Sequence, residues 1–217
     1  MKTNTPTKSK TGFTLVEMLV VLVLAIFLGI ILWPANHGIM AGNLNCINNL
    51  KEIGLSLTIY ADDNDGRFPL QIAATNTSLI EIIYNNHVFP RYQVASNELG
   101  NDPKILLCPF DITRRAATNF ETLTDSNISY FFNADAVRNS STNSILSGDR
   151  FLESNGRPVS SRLLVLTTNL NMSWTSGIHK SGGNVLLSDG SVQQTTSSSL
   201  PSIIRSQLLA TNRLLIP

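Results

Sequence analysis

The sequence predicts an α+β protein: a long N-terminal α-helix, transmembrane at first and then amphipathic, packed on a small antiparallel β-sheet head. Three observations carry this. The run from Phe13 to Trp33 is apolar and holds a single charge, Glu17. From Leu44 to Tyr60, apolar residues then recur every three or four positions. Beyond that stripe, short strand-like runs alternate with turn signals, of which Asp189-Gly190 is the strongest.

Taken in order, residues 1–12 form a short basic leader, with Lys2, Lys8 and Lys10 and no acid. As a helix the following run spans roughly 32 Å, the thickness of a bilayer's hydrocarbon core. The lysines assign its amino end to the cytoplasm and the rest of the chain to the far side. The run is longer than the core of a cleaved secretory signal and lacks an A-x-A site, which predicts a retained anchor over 13–34. Pro34 followed by Asn36-His37-Gly38 predicts a kink or loosened turn between Leu32 and Gly38. Residues 35–66 then continue the stalk as an amphipathic helix. Leu44, Ile47, Leu50, Ile53, Leu57 and Tyr60 form its apolar stripe, Gly54 interrupts it, and the acidic turn at Asp62–Gly66 ends it.

The head occupies 67–217. SLIEIIYNNH at 78–87 reads as a short helix, and ISYFFNA at 128–134 and RLLVLTT at 162–168 read as strands. NVLLSDGSVQQ reads as a two-residue hairpin with Asp189 and Gly190 both at positive φ. SLPSIIRSQLLA fits a short helix capped by Ser199 or Ser202, and the Ser-Thr-Asn clusters at 139–144 and 195–199 read as loops.

Composition narrows the function classes. Charged residues are 14% of the 217, against about 25% in ordinary soluble domains. The polarity comes instead from 64 Ser, Thr and Asn, a neutral surface that suits an exported protein. A formal net charge of +1 with no block of like charges argues against binding nucleic acid by phosphate neutralisation. Two cysteines exclude a disulfide-dense scaffold and a four-thiolate zinc site.

Glu17 is the anomaly of the apolar run. A carboxylate in hydrocarbon costs about 2.5–3.5 kcal/mol on insertion scales and calls for a partner. A cut between Gly12 and Phe13 would create an α-ammonium on Phe13, near the depth of Glu17 on a neighbouring copy.

With its basic leader, GFTLVE and apolar helix, the N-terminus resembles the class III signal of type IV pilins and type II secretion pseudopilins. Gly12 stands before the cut, Phe13 after it, Glu17 is the fifth residue beyond it, and Pro34 falls where many pilins carry a helix-kinking proline. The resemblance implies a pilin-like fold and cleavage after Gly12 by a prepilin peptidase, which also N-methylates Phe13. It further implies an inner-membrane, single-pass subunit with a periplasmic head. Its partners would be other pilin or pseudopilin subunits and the inner-membrane assembly platform, with helix 13–34 as filament core and Glu17 as the assembly residue. Three further segments resemble pilin-like proteins of the Planctomycetes and Verrucomicrobia kind. They are NCINNLKEIGLSLTIYADDNDGRFP, LLCPFD at 106–111, and a His, nine residues, then Asp-Gly at His179 to Asp189-Gly190.

The remaining candidates are weighed by chemistry. Cys46 and Cys108 would be free to form a disulfide outside the membrane, or are two unrelated buried thiols. The Asp62–Gly66 turn lacks the register of a calcium loop and reads as a solvated helix end, so no metal and no cofactor are expected. His179 and Asp189 do not make a hydrolase: there is no G-x-S-x-G elbow and no H-E-x-x-H, and a hairpin tip cannot orient a base. They read as structural, with His179 hydrogen-bonding across the hairpin and Asp189-Gly190 making its turn. No catalytic residue is proposed. Two readings follow: a filament subunit, or a singly anchored periplasmic protein that binds a ligand and never polymerises, with Glu17 as the feature that separates them.

Overall fold

The computed structural model describes residues 12–31, 37–69, 86–138, 143–160, 162–167, 169–177, 179, 181–207 and 212–217. It divides into two compact units that meet between Gly38 and Ile39.

The first unit holds helix α1, Leu15–Ile31. Its start is set by a reciprocal capping box. The Glu17 amide donates to Thr14 Oγ1 at 3.3 Å, and the Thr14 amide and hydroxyl each donate to Glu17 Oε2 at 2.9 Å. The large apolar side chains from Phe13 to Leu28 are 49–81% exposed. Over its 17 residues α1 is about 26 Å long. Among the described residues no helix is long and apolar enough to cross a membrane. The expected kink falls largely on residues 32–36, outside the described residues, as does the leader before Gly12.

The second unit begins at Ile39, within α2, His37–Asp62. Leu50, Ile53, Leu57 and Tyr60 are buried as the periodicity requires, but the face is turned at its start, where Cys46 is buried and Leu44 is 57% exposed. Gly54 has a packing reason: a Cβ there would stand 2.7 Å from Leu186 Cδ1 and 3.4 Å from the Cα of Gly190. The missing side chain lets α2 lie against the sheet, which outweighs the helix-propensity cost of about 1 kcal/mol.

The sheet is larger than the small head sheet expected. Six antiparallel strands run in the order β5-β9-β1-β2-β7-β8. They are β1 (Tyr130–Asn133), β2 (Ile145–Asp149), β5 (Leu163–Val165), β7 (Gly182–Leu187), β8 (Val192–Thr196) and β9 (Arg213–Leu215). A second sheet, in the order β4-β3-β6, is built from β3 (Leu152–Ser154), β4 (Arg157–Pro158) and β6 (Met172–Trp174). Side chains on successive strand residues point to opposite faces, so each central strand feeds two cores. Tyr130, Phe132, Leu146 and Leu186 pack with α2 and with Tyr92 of the short helix α3, Phe89–Val94. Phe131, Ile145, Val185 and Leu187 pack with Leu152, Met172 and Trp174 of the second sheet and with Leu200 and Ile204 of α4, Leu200–Ser206.

The predicted strands at 128–134 and 162–168 contain β1 and β5. The predicted helix at 78–87 falls mostly on 70–85, outside the described residues. The cluster at 195–199 is not all loop, since Thr195 and Thr196 complete β8. Ser199 precedes α4, but its hydroxyl accepts the Thr196 amide instead of capping the helix, and Pro201 sits in the first turn.

The hairpin between β7 and β8 forms where expected, with a different turn. Gly190 alone has positive φ, +83°, and Asp189 does not. The Gly190 amide donates to Leu187 O at 3.0 Å and the Leu187 amide to Ser191 O at 2.9 Å, the pattern of a three-residue loop closed by a left-handed glycine. Asp189 instead fixes the turn through its side chain, accepting the Ser191 amide at 2.8 Å and hydroxyl at 2.6 Å. A Cβ on Gly190 meets nothing within 4 Å, so substitution there tests backbone strain alone. Gly190→Val is expected to cost about 1–3 kcal/mol in denaturant unfolding, and Gly190→Asn much less, because asparagine tolerates the left-handed region. Equal losses for the two variants would remove strain as the cause.

Candidate functional site

Two places in the chain carry candidate residues, one in each unit. In the first, Gly12 and Phe13 precede α1 in non-helical backbone, and Phe13 is 72% exposed. Gly12 is exposed as well. Glu17 lies one turn further on and is engaged by Thr14 of its own helix. That use of the carboxylate within a single chain is one the hydropathy reading missed, although Thr-x-x-Glu ahead of an apolar run is a capping signature.

The second place is a buried centre beneath α2. Its first component comes from α2, which carries Cys46 on its inner face. A 3₁₀ turn at Pro103–Leu106, started by Pro103, delivers Cys108 to the same spot. The two sulfurs form a disulfide, with the Cα atoms 5.1 Å apart. His179 approaches from the segment ahead of β7, held in a left-handed conformation with φ +52° and with only 4% of its side chain exposed. Its ring stands edge-on to Phe110 at 5.2 Å. His179 Nε2 lies 3.6 Å from Cys108 Sγ and also 3.6 Å from Asp149 Oδ2.

Asp149 closes β2 and is 1% exposed. Asn184 of β7 donates to its Oδ2 twice, from the backbone amide at 2.8 Å and from Nδ2 at 2.9 Å. Asp149 Oδ1 is buried without a hydrogen-bond partner among the described residues. Burial pushes this carboxyl up to about 7 against the pull of the two Asn184 bonds, with the Asp111 charge adding to the rise. Burial pushes His179 down. Both groups are driven toward their neutral forms, which a disulfide neighbour cannot oppose.

The sign of the resulting pH dependence follows by linkage. Between about pH 4 and 7 the native Asp149 keeps a proton that the unfolded chain has released, so this group lowers stability as pH rises. His179, depressed in the fold, acts in the opposite sense below its ordinary value. Tyr130, Tyr92 and Asp111 also face the centre. The difference between wild type and Asp149→Asn isolates the carboxyl. The melting temperature of Asp149→Asn is expected to gain on wild type steadily from pH 4 to pH 8, and a constant difference would show that Asp149 does not titrate in this range.

LLCPFD supplies a second buried group. Asp111, with no exposed side-chain surface, receives Arg150 in a fork, Nε to Oδ2 at 2.8 Å and Nη2 to Oδ1 at 3.0 Å. Ser129 Oγ and Thr113 Oγ1 also donate to it, at 2.9 and 2.6 Å. Burial raises this carboxyl, but the Arg150, Thr113 and Ser129 bonds and the Arg150 charge together hold it below its ordinary value.

Of the residues singled out in the sequence, Cys46, Cys108 and His179 meet. Asp189 and Gly190 do not join them; they lie at the hairpin tip, where Asp189 Oδ2 accepts from Asn143 Nδ2 at 2.5 Å. The expected bond from His179 across the hairpin is therefore not what the ring makes, because the left-handed backbone at 179 turns it inward to the disulfide. Asp149, Asn184 and Arg150 were missed, having no motif to mark them. Cys46, Cys108 and His179 offer ligand atoms within 4.8 Å of one another, a group that could hold a metal ion only with the disulfide opened to thiolates. A surface cavity of about 230 Å³ is lined by His179, Gly182, Gly183, Gln194, Thr195 and Thr196. No family model, curated protein or solved structure matches the chain.

Proposed function

We propose that this chain is a structural, pilin-like subunit of a type IV pilus or type II secretion pseudopilus. In this reading it is inserted in the inner membrane through residues 13–34, cut after Gly12 by a prepilin peptidase, and assembled through its N-terminal helix. The observation that carries the reading is the GFTLVE register at the mouth of an apolar helix whose large side chains are exposed along its described length. A helix of this composition is stable only among apolar partners, which lipid supplies before assembly and neighbouring copies supply after it.

The capping box gives a rival use for Glu17, and the experiment separates the two. Glu17→Leu makes the helix more apolar, so insertion and cleavage survive. Docking of one subunit on another loses the charge opposite the Phe13 ammonium, a loss of a few kcal/mol per contact within hydrocarbon. Glu17→Gln keeps a capping acceptor and removes the charge, while Thr14→Val removes half the cap and keeps the charge. The ratio of sedimentable filament to membrane monomer is expected to collapse for Leu, fall for Gln and hold for Thr14→Val. Mass spectrometry of the assembled chain should find methylated Phe13 at its start, and Gly12→Val should accumulate uncut. Both Glu17 variants incorporating as well as wild type would show that Glu17 does not register subunits and would favour the singly anchored ligand-binding protein.

A further inference from the structure

We propose that, once the Cys46–Cys108 disulfide is reduced, the buried centre binds one thiophilic divalent cation of the zinc class. The ligands are Cys46 Sγ, Cys108 Sγ, His179 Nε2 and the Asp149 carboxylate. The site is independent of the filament reading, and its failure would leave that reading untouched.

Ligand spacing is the first argument. Tetrahedral zinc with Zn–S of about 2.3 Å and Zn–N or Zn–O of about 2.0–2.1 Å sets its N···S edge at about 3.6 Å and its N···O edge at about 3.4 Å. His179 Nε2 stands 3.6 Å from Cys108 Sγ and 3.6 Å from Asp149 Oδ2. The histidine–carboxylate separation exceeds a hydrogen bond, normally about 2.7–3.2 Å, yet matches the separation of two atoms that share an ion. The S···S edge must open to about 3.8 Å once the covalent bond is gone, and the Asp149 carboxylate, which stands outside the 4.8 Å group formed by the other three ligands, must swing in to complete the tetrahedron.

The second argument is an unmet buried acceptor. Among the described residues Asp149 Oδ1 has no hydrogen-bond partner, although Asp149 is 1% exposed. A cation held through Oδ2, as the spacing requires, would offset the charge of the whole carboxylate, Oδ1 included. Asn184 holds the same carboxylate by two bonds to Oδ2, the outer-shell support that orients a metal-ligating acid. Two thiolates and an imidazole select zinc-class ions over magnesium or calcium. The cavity beside His179 gives an entry path from the surface.

The two states exclude one another. Reduction adds two electrons across the S–S bond and places one proton on each sulfur; metal binding then displaces those two protons. Each state fastens α2 to the loop that carries Cys108, by a covalent bond in one and by shared coordination in the other.

The test uses the full-length protein, reduced anaerobically with a phosphine, which takes the oxygen of one water to become its oxide while the water's protons go to the sulfurs. Co²⁺ is titrated in and then displaced by Zn²⁺. The expected result is one Co²⁺ per reduced chain, with the strong visible bands of tetrahedral cobalt and a thiolate-to-cobalt charge-transfer band, both absent from the oxidised chain. His179→Ala and Asp149→Asn should each weaken binding by at least about ten-fold. Near-ultraviolet circular dichroism of the reduced chain should be native or should be restored by zinc. Absence of the tetrahedral spectrum, equal affinity in both variants, or a reduced chain that stays unfolded with zinc would overturn the proposal.

Discussion

Asp111→Ala is expected to lower the unfolding free energy of the unit holding residues 39–217 by about 3–5 kcal/mol, the cost of removing one partner of a buried ion pair. The carboxylate receives two bonds from Arg150 and one each from Ser129 and Thr113. Its loss strands a mostly buried guanidinium and leaves the buried Ser129 hydroxyl without its acceptor. Arg114 makes matters worse. It sits 3.8 Å from Asp111 and donates to the carbonyls of Asp125, Ile128 and Pro217. Burial first, and then repulsion from Arg150, already push its guanidinium down to about 10. Without Asp111 two like charges face each other in a poorly hydrated place. Denaturant titration of Asp111→Ala, Arg150→Met and the double variant gives the coupling energy. A single-variant loss under 1 kcal/mol would mean that water reaches the guanidiniums freely.

Removal of the disulfide, by Cys46→Ala with Cys108→Ala, is expected to cost about 4 kcal/mol, because the bridge closes a loop of 62 residues in the unfolded chain. Both positions are fully buried, so part of the loss is a packing defect, and alanine is chosen to avoid burying an unpaired hydroxyl. The comparison belongs in oxidised, metal-free buffer, where bound metal cannot substitute for the bridge. Non-reducing peptide mapping of protein from its native envelope gives the companion result, one linked peptide pair. Two freely alkylated thiols there would refute the bridge.

What could be read from the chain follows from how local each cause is. Helix α2 was legible because its burial repeats every three to four residues, and β1 and β7 because aromatic and branched residues run together in YFF and VLL. Strand β2 was not. ILSGD follows the polar cluster at 139–144 and shows no strand pattern, since Ser147 and Asp149 are satisfied by partners far off in sequence, Ser147 by the Phe131 carbonyl and Asp149 by Asn184. The second sheet escaped notice because strands of two or three residues are too short to show a period. The centre was half legible. Cysteines and a histidine are conspicuous, but Asp149 stands thirty positions from His179 and joins it only through the antiparallel pairing of β2 with β7. At the turn, Asp-Gly marked the place correctly and its backbone wrongly, because the dipeptide serves more than one hairpin type.

The place of β9 has a consequence for the order in which the protein can form. Arg213–Leu215 lies between β5 and β1, in the interior of the six-stranded sheet, pairing Leu215 with both Phe132 and Leu163. Until residue 215 has been synthesised, β1 lacks a neighbour on one side and β5 has no place to attach. Folding therefore cannot keep pace with synthesis, and the chain reaches its native state only by joining segments some eighty residues apart, a non-local search that is slow by nature. During that delay the edge of β1 is open to any other strand, so a ribosome-stalled or proteolytically shortened chain ending before β9 is the form of this protein most prone to aggregate.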